Sequence, residues 1–304
     1  MSSPPEQSWI DVLVIGPILY TLFPMLTTAE ANTLRLVCKE LKQKVSEFPW
    51  NDIETVIRGD IEEWRKCFPR AIGANISKYD EDNNPNGRRT SVVDATFKHL
   101  KGIQTLNMAN CYQITDAAFE HLTGIKNLNM SGCFQPTNAA FVHLKGIHTL
   151  NISHCYQITD AAFVHLNGIH TLKIHGSYLI TDAAFVHLKG IHTLDMSCCS
   201  KITDAAFKHL KGIHTLDMSL CFQITDIGFE HLKGIHTLNM SCCYEITDAA
   251  FEHLKGIQNL DMSCCREITD DTFIHLTGIN TLKMLWCRDY QINAARAFEL
   301  PVIL

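Results

Sequence analysis

Leu150 and Ile152 alternate with Thr149, Asn151 and Ser153, and the same alternation returns every 22 residues along most of the chain. It predicts a short strand with one buried face. Thr159 and Asp160 follow, a pair suited to cap a helix start by accepting exposed N–H groups. Phe163 and Leu166 then lie three apart, on one face of a short helix. Glycines punctuate the units at Gly102, Gly124, Gly146, Gly168, Gly190, Gly212, Gly234, Gly256 and Gly278. Each unit therefore reads as a strand, a turn and one or two helical turns.

Such a unit cannot bury its Leu, Ile and Phe side chains alone, whereas stacked copies share one continuous core. Strands stack about 4.8 Å apart while helices need roughly 10 Å of width. The expected fold is an α/β solenoid, a horseshoe with a parallel sheet on the concave face and short helices on the convex face. ANIS (Ala74–Ser77) echoes LNIS (Leu150–Ser153) and predicts a worn first strand; polar Asp80–Arg89 accounts for the excess spacing before the next one.

The pattern L-x-x-L-x-L-x-x-C-x-x-I-T-D, carried here by Ile147, Leu150, Ile152, Cys155 and Ile158 to Asp160, resembles the leucine-rich repeat, specifically its cysteine-containing type. The resemblance covers about residues 92–290.

Thirteen cysteines are present, most at one place in the repeat: Cys111, Cys133, Cys155, Cys199, Cys221, Cys243, Cys265 and Cys287, with Ser177 filling the gap. A disulfide framework is not built this way, so a reducing compartment, cytosol or nucleus, is expected. The column suits small side chains facing backbone while packing inward. Nine of sixteen histidines form one column near the helix end (His99 to His275), and His148, His170, His192, His214 and His236 form another just before the strand. Columns supply neighbours rather than convergent ligands, so no metal and no cofactor is expected. No privileged Cys–His pair, phosphate loop or nucleophile elbow stands out, so the chain does not read as an enzyme.

The formal charge of −6 argues against nucleic acid as the main partner. The apolar run Leu13–Leu26 is too short to span a bilayer and contains two prolines, and no signal peptide is visible.

Ahead of the array, Ile18, Leu19, Leu22, Phe23 and Leu26 repeat at helical spacing. After a TTAEA break, Leu34, Val37, Cys38 and Leu41 do so again, with Thr27 or Thr28 as a cap. One reading is a helical cap closing the first repeat. The residues also resemble an F-box, whose I-L-x-x-I-F-x-x-L and V-C-K-x-W segments match Ile18-Leu19, Leu22-Phe23, Leu26 and Val37-Cys38-Lys39. Val14-Ile15 stands where that family has Leu-Pro, and Leu41 where it has an aromatic. Joined to the repeats, this resembles the F-box leucine-rich-repeat proteins, and the VCKEL…FPWND stretch is similar to those of large amoebal DNA viruses. The resemblance implies a substrate-recognition adaptor of an SCF-type cullin–RING ubiquitin ligase. Ile18, Leu19, Leu22, Phe23, Leu26, Leu36, Val37, Cys38 and Lys39 would dock a Skp-type subunit, and the repeats would hold a substrate protein. The chain would then work as a monomer within that complex, inside the cell (the host cell, if viral). The alternative is a stand-alone interaction scaffold.

Substrate specificity is expected where the copies differ. The outward strand column contains Asp195, Asp217 and Asp261, bracketed by Lys173 and Lys283. The column after the cysteine contains Tyr156, Tyr178, Phe222, Tyr244, Arg266 and Arg288, residue types that anchor interfaces; stacking along the solenoid edge explains the rings equally well. Trp286 reads as a contact or as part of a cap. The expected organisation is an F-box-like helical domain over 1–50, a linker and degenerate repeat over 51–91, the array over 92–290 and a C-terminal cap over 291–304.

Overall fold

A computed structural model describes residues 21–78 and 92–303. Its strands form one sheet of twelve in sequence order, from β1 (Asn51–Val56) and β2 (Gly73–Asn75) through β3 (Thr105–Asn107) to β11 (Thr281–Lys283) and β12 (Val302–Ile303). Every pairing is parallel, and within the array leucine faces leucine, as in Leu150↔Leu172 and Leu172↔Leu194. This register puts each apolar column on one line, so the core runs unbroken from Phe23 to Ala295. The sheet lines the concave face of the solenoid and the short helices its convex face.

Those helices are 3-10 rather than α, from Asp94–Leu100 to Asp270–Leu276. Six or seven residues between a cap and a glycine turn hold too few α-turns to be stable, and i→i+3 bonds such as Leu166 N–H to Phe163 O (2.9 Å) close the segment sooner. Phe163 and its counterparts point inward from them and are fully buried. After each helix the chain reverses at a glycine such as Gly146, whose φ of +77° is left-handed and disfavours any Cβ.

The repeats are tied to one another by the Thr-Asp pair. Asp160 accepts from the backbone N–H (2.8 Å) and hydroxyl (2.7 Å) of Thr181 in the next unit, and Asp182 does the same for Thr203. The threonine in turn accepts from the N–H two residues on, as Thr181 does from Ala183. The sequence expectation of a helix cap is thus half the arrangement: Thr caps its own helix, and Asp clamps the following repeat. Asn138 replaces one aspartate and still accepts from Thr159 N–H, while its Nδ2 donates to the hydroxyl.

The N-terminal end is more structured than its sequence pattern suggested. The segment read as a linker with one worn strand contributes two strands and a helix, α3 (Ile61–Cys67), between them; the polar stretch Asp80–Arg89 lies outside the described residues. The helix expected across Leu34 to Leu41 is two, α1 (Thr28–Leu34) and α2 (Lys39–Glu47), separated by a turn. Cys38 is extended there and its sulfur accepts from Leu41 N–H, starting a new helix. Thr27 caps α1 in a reciprocal capping box with Glu30, and Thr28 ties the same helix end to Asp52 of β1 through its N–H and hydroxyl. Burial would push Asp52 up, but these bonds and those from Thr55 hold its carboxyl below the usual range. At the far end α4 (Asp289–Ala297) closes the core. Buried Gln291 donates to the carbonyls of Cys265 and Ile268 in the preceding unit.

Candidate protein-interaction surface

Each column expected to carry specificity is held in a defined way. Asp195, Asp217 and Asp261 lie half-buried on the concave face, and each accepts from the N–H two residues on, at Ser197, Ser219 and Ser263 (3.0–3.1 Å). Asn129, Asn151 and Asn239 do the same. Asn and Asp therefore share one turn-forming task, and charge is the free variable. Lys173 and Lys283 lack an acceptor for it and stand exposed.

The column after the cysteine is both stacked and accessible. Tyr112, Phe134, Tyr156 and Tyr178 lie face to face with centroids 5.2, 5.6 and 6.0 Å apart, and Phe222 stacks on Tyr244 at 5.7 Å. Arg266 continues the second run, its guanidinium 5.9 Å from the Tyr244 ring. The rings still expose 41–52% of their surface, so stacking orders a ridge that remains open to a partner. Arg288 is exposed at the last unit, and Trp286 is 86% exposed, with no share in the C-terminal core. The position of Trp286 is left-handed in every unit, with φ of +58 to +68° from Asn110 to Trp286. Its side chains consequently leave the strand line and stand on the rim. Glycine or asparagine at Asn110, Gly132 and Gly176 was the sequence signal for it.

One unit breaks the pattern at several adjacent places: Lys173, His175, Gly176 and Ser177. Ser197 Oγ lies 2.6 Å from both Asp195 Oδ1 and His175 Nδ1. The serine sits between acid and imidazole, the reverse of the order that nucleophile activation needs. His154 packs edge-on to His175 at 4.8 Å, over Gly176, where a Cβ would fall 2.7 Å from its Nδ1. Burial, then the neighbouring His175, holds His154 below its ordinary value.

The cysteine column behaves as its pattern implied. Each thiol donates to a main-chain carbonyl of the preceding unit, as Cys155 does to Met130 O (3.1 Å) and Cys221 to Met196 O (3.1 Å). Burial pushes the Cys155 thiol up to about 12 and Cys111 up to about 11, so both stay protonated at neutral pH. Ser177 does not reproduce the contact: its buried hydroxyl has no partner. Among the described residues no cluster of three or more His, Cys, Asp or Glu can hold a metal, and no helix is long and apolar enough to cross a membrane.

The residues read as adaptor contacts are divided. Ile18 and Leu19 lie outside the described residues. Phe23 is buried against Phe48 and Trp50 (5.2 Å each) and is part of the core, not of an exposed patch. Leu22, Leu26 and Cys38 are half-buried, and Lys39 is exposed on the first turn of α2. Leu36, 84% exposed, and Val37, 43%, occupy the turn between α1 and α2.

Compared with known families, residues 85–192 and 179–286 match the BspA type leucine-rich repeat region, in six copies. The chain belongs to the BspA-type leucine-rich-repeat family. The match spans more than half the chain, and the cysteine-containing subtype stays a resemblance of the motif. No curated protein matches the sequence. The crystal structure of the mouse RP105/MD-1 complex aligns at a TM-score of 0.60 and 16% identity, covering 82% of this chain and 45% of that one. The Drosophila Toll–Spatzle complex aligns at 0.53 and 13% identity over 83% and 38%. BspA-type repeats thus share the solenoid of much longer chains, of which this one spans less than half. The yeast Rad7 and Elc1 complex covers 95% of this chain and 96% of its own at 13% identity, but a TM-score of 0.42 carries no argument.

Proposed function

We propose that this BspA-type array is a protein-interaction scaffold, and that its N-terminal helices dock a Skp-type subunit, making it a substrate-recognition adaptor of a cullin–RING ubiquitin ligase. The scaffold reading rests on the ordered ridge of exposed rings beside a concave face of variable charge. RP105 and Toll, which share the fold, were each solved with a protein partner. The adaptor reading rests on one observation: Leu36 and Val37 are exposed in a turn where the fold makes no use of them. They adjoin Cys38 and Lys39 of the F-box-like segment.

Co-purification of the intact chain and a Leu36→Asp, Val37→Asp variant with a Skp-type subunit and cullin tests this. Both substitutions lie on the surface, so the variant keeps its fold, whereas Phe23→Asp would open the core. Retention of the intact chain alone is expected. Retention of neither, from folded protein, leaves the helices as a cap, a reading favoured by their sharing the core through Ala31, Leu41, Val45 and Trp50.

A further inference from the structure

The two edges of the solenoid carry opposite chemistry, which the net charge of −6 conceals. Along the edge where the chain leaves each strand run the clamping aspartates and the aromatic ridge. Along the edge where it enters, a lysine precedes the turn glycine in most units, as Lys145, Lys189 and Lys211 do, all exposed. Just beyond, the imidazoles of His148, His170, His192, His214 and His236 stack face to face, with centroids 4.4–4.6 Å apart and planes within 14° of parallel. Each Nδ1 lies 3.0–3.3 Å from the hydroxyl of the following threonine. This holds each ring by one nitrogen. Lys126 fills the same column one unit earlier, and its Nζ reaches the carbonyl of Gly146. The column therefore lies against the turns that carry the lysines.

No carboxylate interrupts this edge over the central four units. Where other units have Glu120, Glu230 and Glu252, each touching its neighbouring histidine at 3.2–3.4 Å, these have Val142, Val164, Val186 and Lys208. The nearest acids on the sheet, Asp195 and Asp217, are held by the backbone and hydroxyl of Ser197 and Ser219. The result is a row of cationic and protonatable groups at strand spacing, and among the described residues no ion pair neutralises Lys145, Lys189 or Lys211.

We propose that this lysine–histidine edge is the docking surface for an extended acidic segment of a protein partner, its carboxylates laid along the imidazole stack. The proposal rests on the scaffold reading and names the class of segment it holds. A chain at about 3.4 Å per residue brings alternate side chains to one face every ~6.8 Å, so about six residues span the central rungs. A single-stranded nucleic acid fits less well: it calls for ring faces as well as cations, and the aromatic ridge lies on the opposite edge. The overall negative charge also repels a long polyanion, while a short segment responds mainly to charges within a Debye length of about 8–10 Å.

Binding must be linked to protons. In the free stack, burial and then the flanking imidazoles hold His170 and His214 below their ordinary value. A carboxylate set against the stack favours the charged form, so the complex takes up protons and tightens as the pH falls.

The test is fluorescence anisotropy with a labelled oligo-glutamate peptide of about twelve residues and the full chain. Saturable binding at low salt is expected, tightening at least ~5-fold from about pH 7.5 to about pH 6, near the histidine reference value. Lys189→Glu with Lys211→Glu should weaken it about tenfold or more at either pH. His170→Gln with His192→Gln should remove most of the pH response and keep part of the low-salt binding. No saturable binding, equal binding by the lysine variant, or tighter binding of an oligouridylate of equal length each overturns the proposal. These variants leave Leu36 and Val37 untouched, so retention of a Skp-type subunit without peptide binding refutes the acidic segment alone. Loss of both, in folded protein, refutes the acidic segment and the adaptor role and leaves the scaffold reading in place.

Discussion

Ser177 is the residue at which copying failed. Its neighbours in the column give a thiol to a carbonyl and fill their space with sulfur, whereas the shorter hydroxyl is buried and unpaired. An unsatisfied buried hydroxyl costs about 1–3 kcal/mol. Ser177→Cys should therefore raise the free energy of unfolding by ~1–2 kcal/mol in urea melts; an unchanged or lower midpoint would show that the column does not depend on its thiol contact. The sequence showed that serine was tolerated, but not that its oxygen falls short of its acceptor, because a column of letters holds no distances. Phe23 teaches the same from the other side. Its spacing was legible, yet helical spacing alone cannot say whether a face meets a partner or the Trp50 and Phe48 rings of its own chain.

At the scale of one unit, strand, turn and glycine were all legible from period and alternation, since each is dictated within a few residues. The 3-10 character was not, because Ala-Ala-Phe suits either helix and the choice follows from the space between clamp and turn. Nor was the second half of the Thr-Asp device, which joins residues 21 apart. Removing it at one place should be measurable. Asp182→Ala takes two acceptors from Thr203 and should cost about 1–3 kcal/mol. Asp182→Asn should cost clearly less, because Asn138 already performs this role with one bond reversed. Equal losses in denaturant melts would mean that charge rather than the paired bonds holds the repeats together. Gln291→Leu should likewise cost about 1–3 kcal/mol by stranding the carbonyls of Cys265 and Ile268.

For the whole molecule, register turns local choices into lines: a thiol line, a clamp line, a ring line and an imidazole line. The columns were legible in the sequence as repetition. Their contact at 4.4–4.6 Å was not, because it depends on every ring taking the same rotamer. The histidines also set the response to acid. His154, His170, His209 and His214 lie below their ordinary value, first through burial, so they are neutral in the folded state when the unfolded chain begins to take up protons. Stability is then full above about pH 6.5 and falls as the pH drops through that value toward the lowered ones. Scanning calorimetry should show the melting temperature declining below about pH 6.5, by roughly 2–4 °C for each kcal/mol lost. A flat profile down to about pH 5.5 would contradict the stacked, half-buried imidazoles.

The adaptor role turns on one turn of chain outside the array. Isothermal titration of a purified Skp-type subunit into the intact protein, and into the Leu36→Asp, Val37→Asp variant, addresses it most directly. The account predicts a saturable heat for the intact chain that the variant lacks, with both proteins melting alike. No heat from the intact, folded chain would contradict it and leave a capped solenoid that binds partners by its repeats alone.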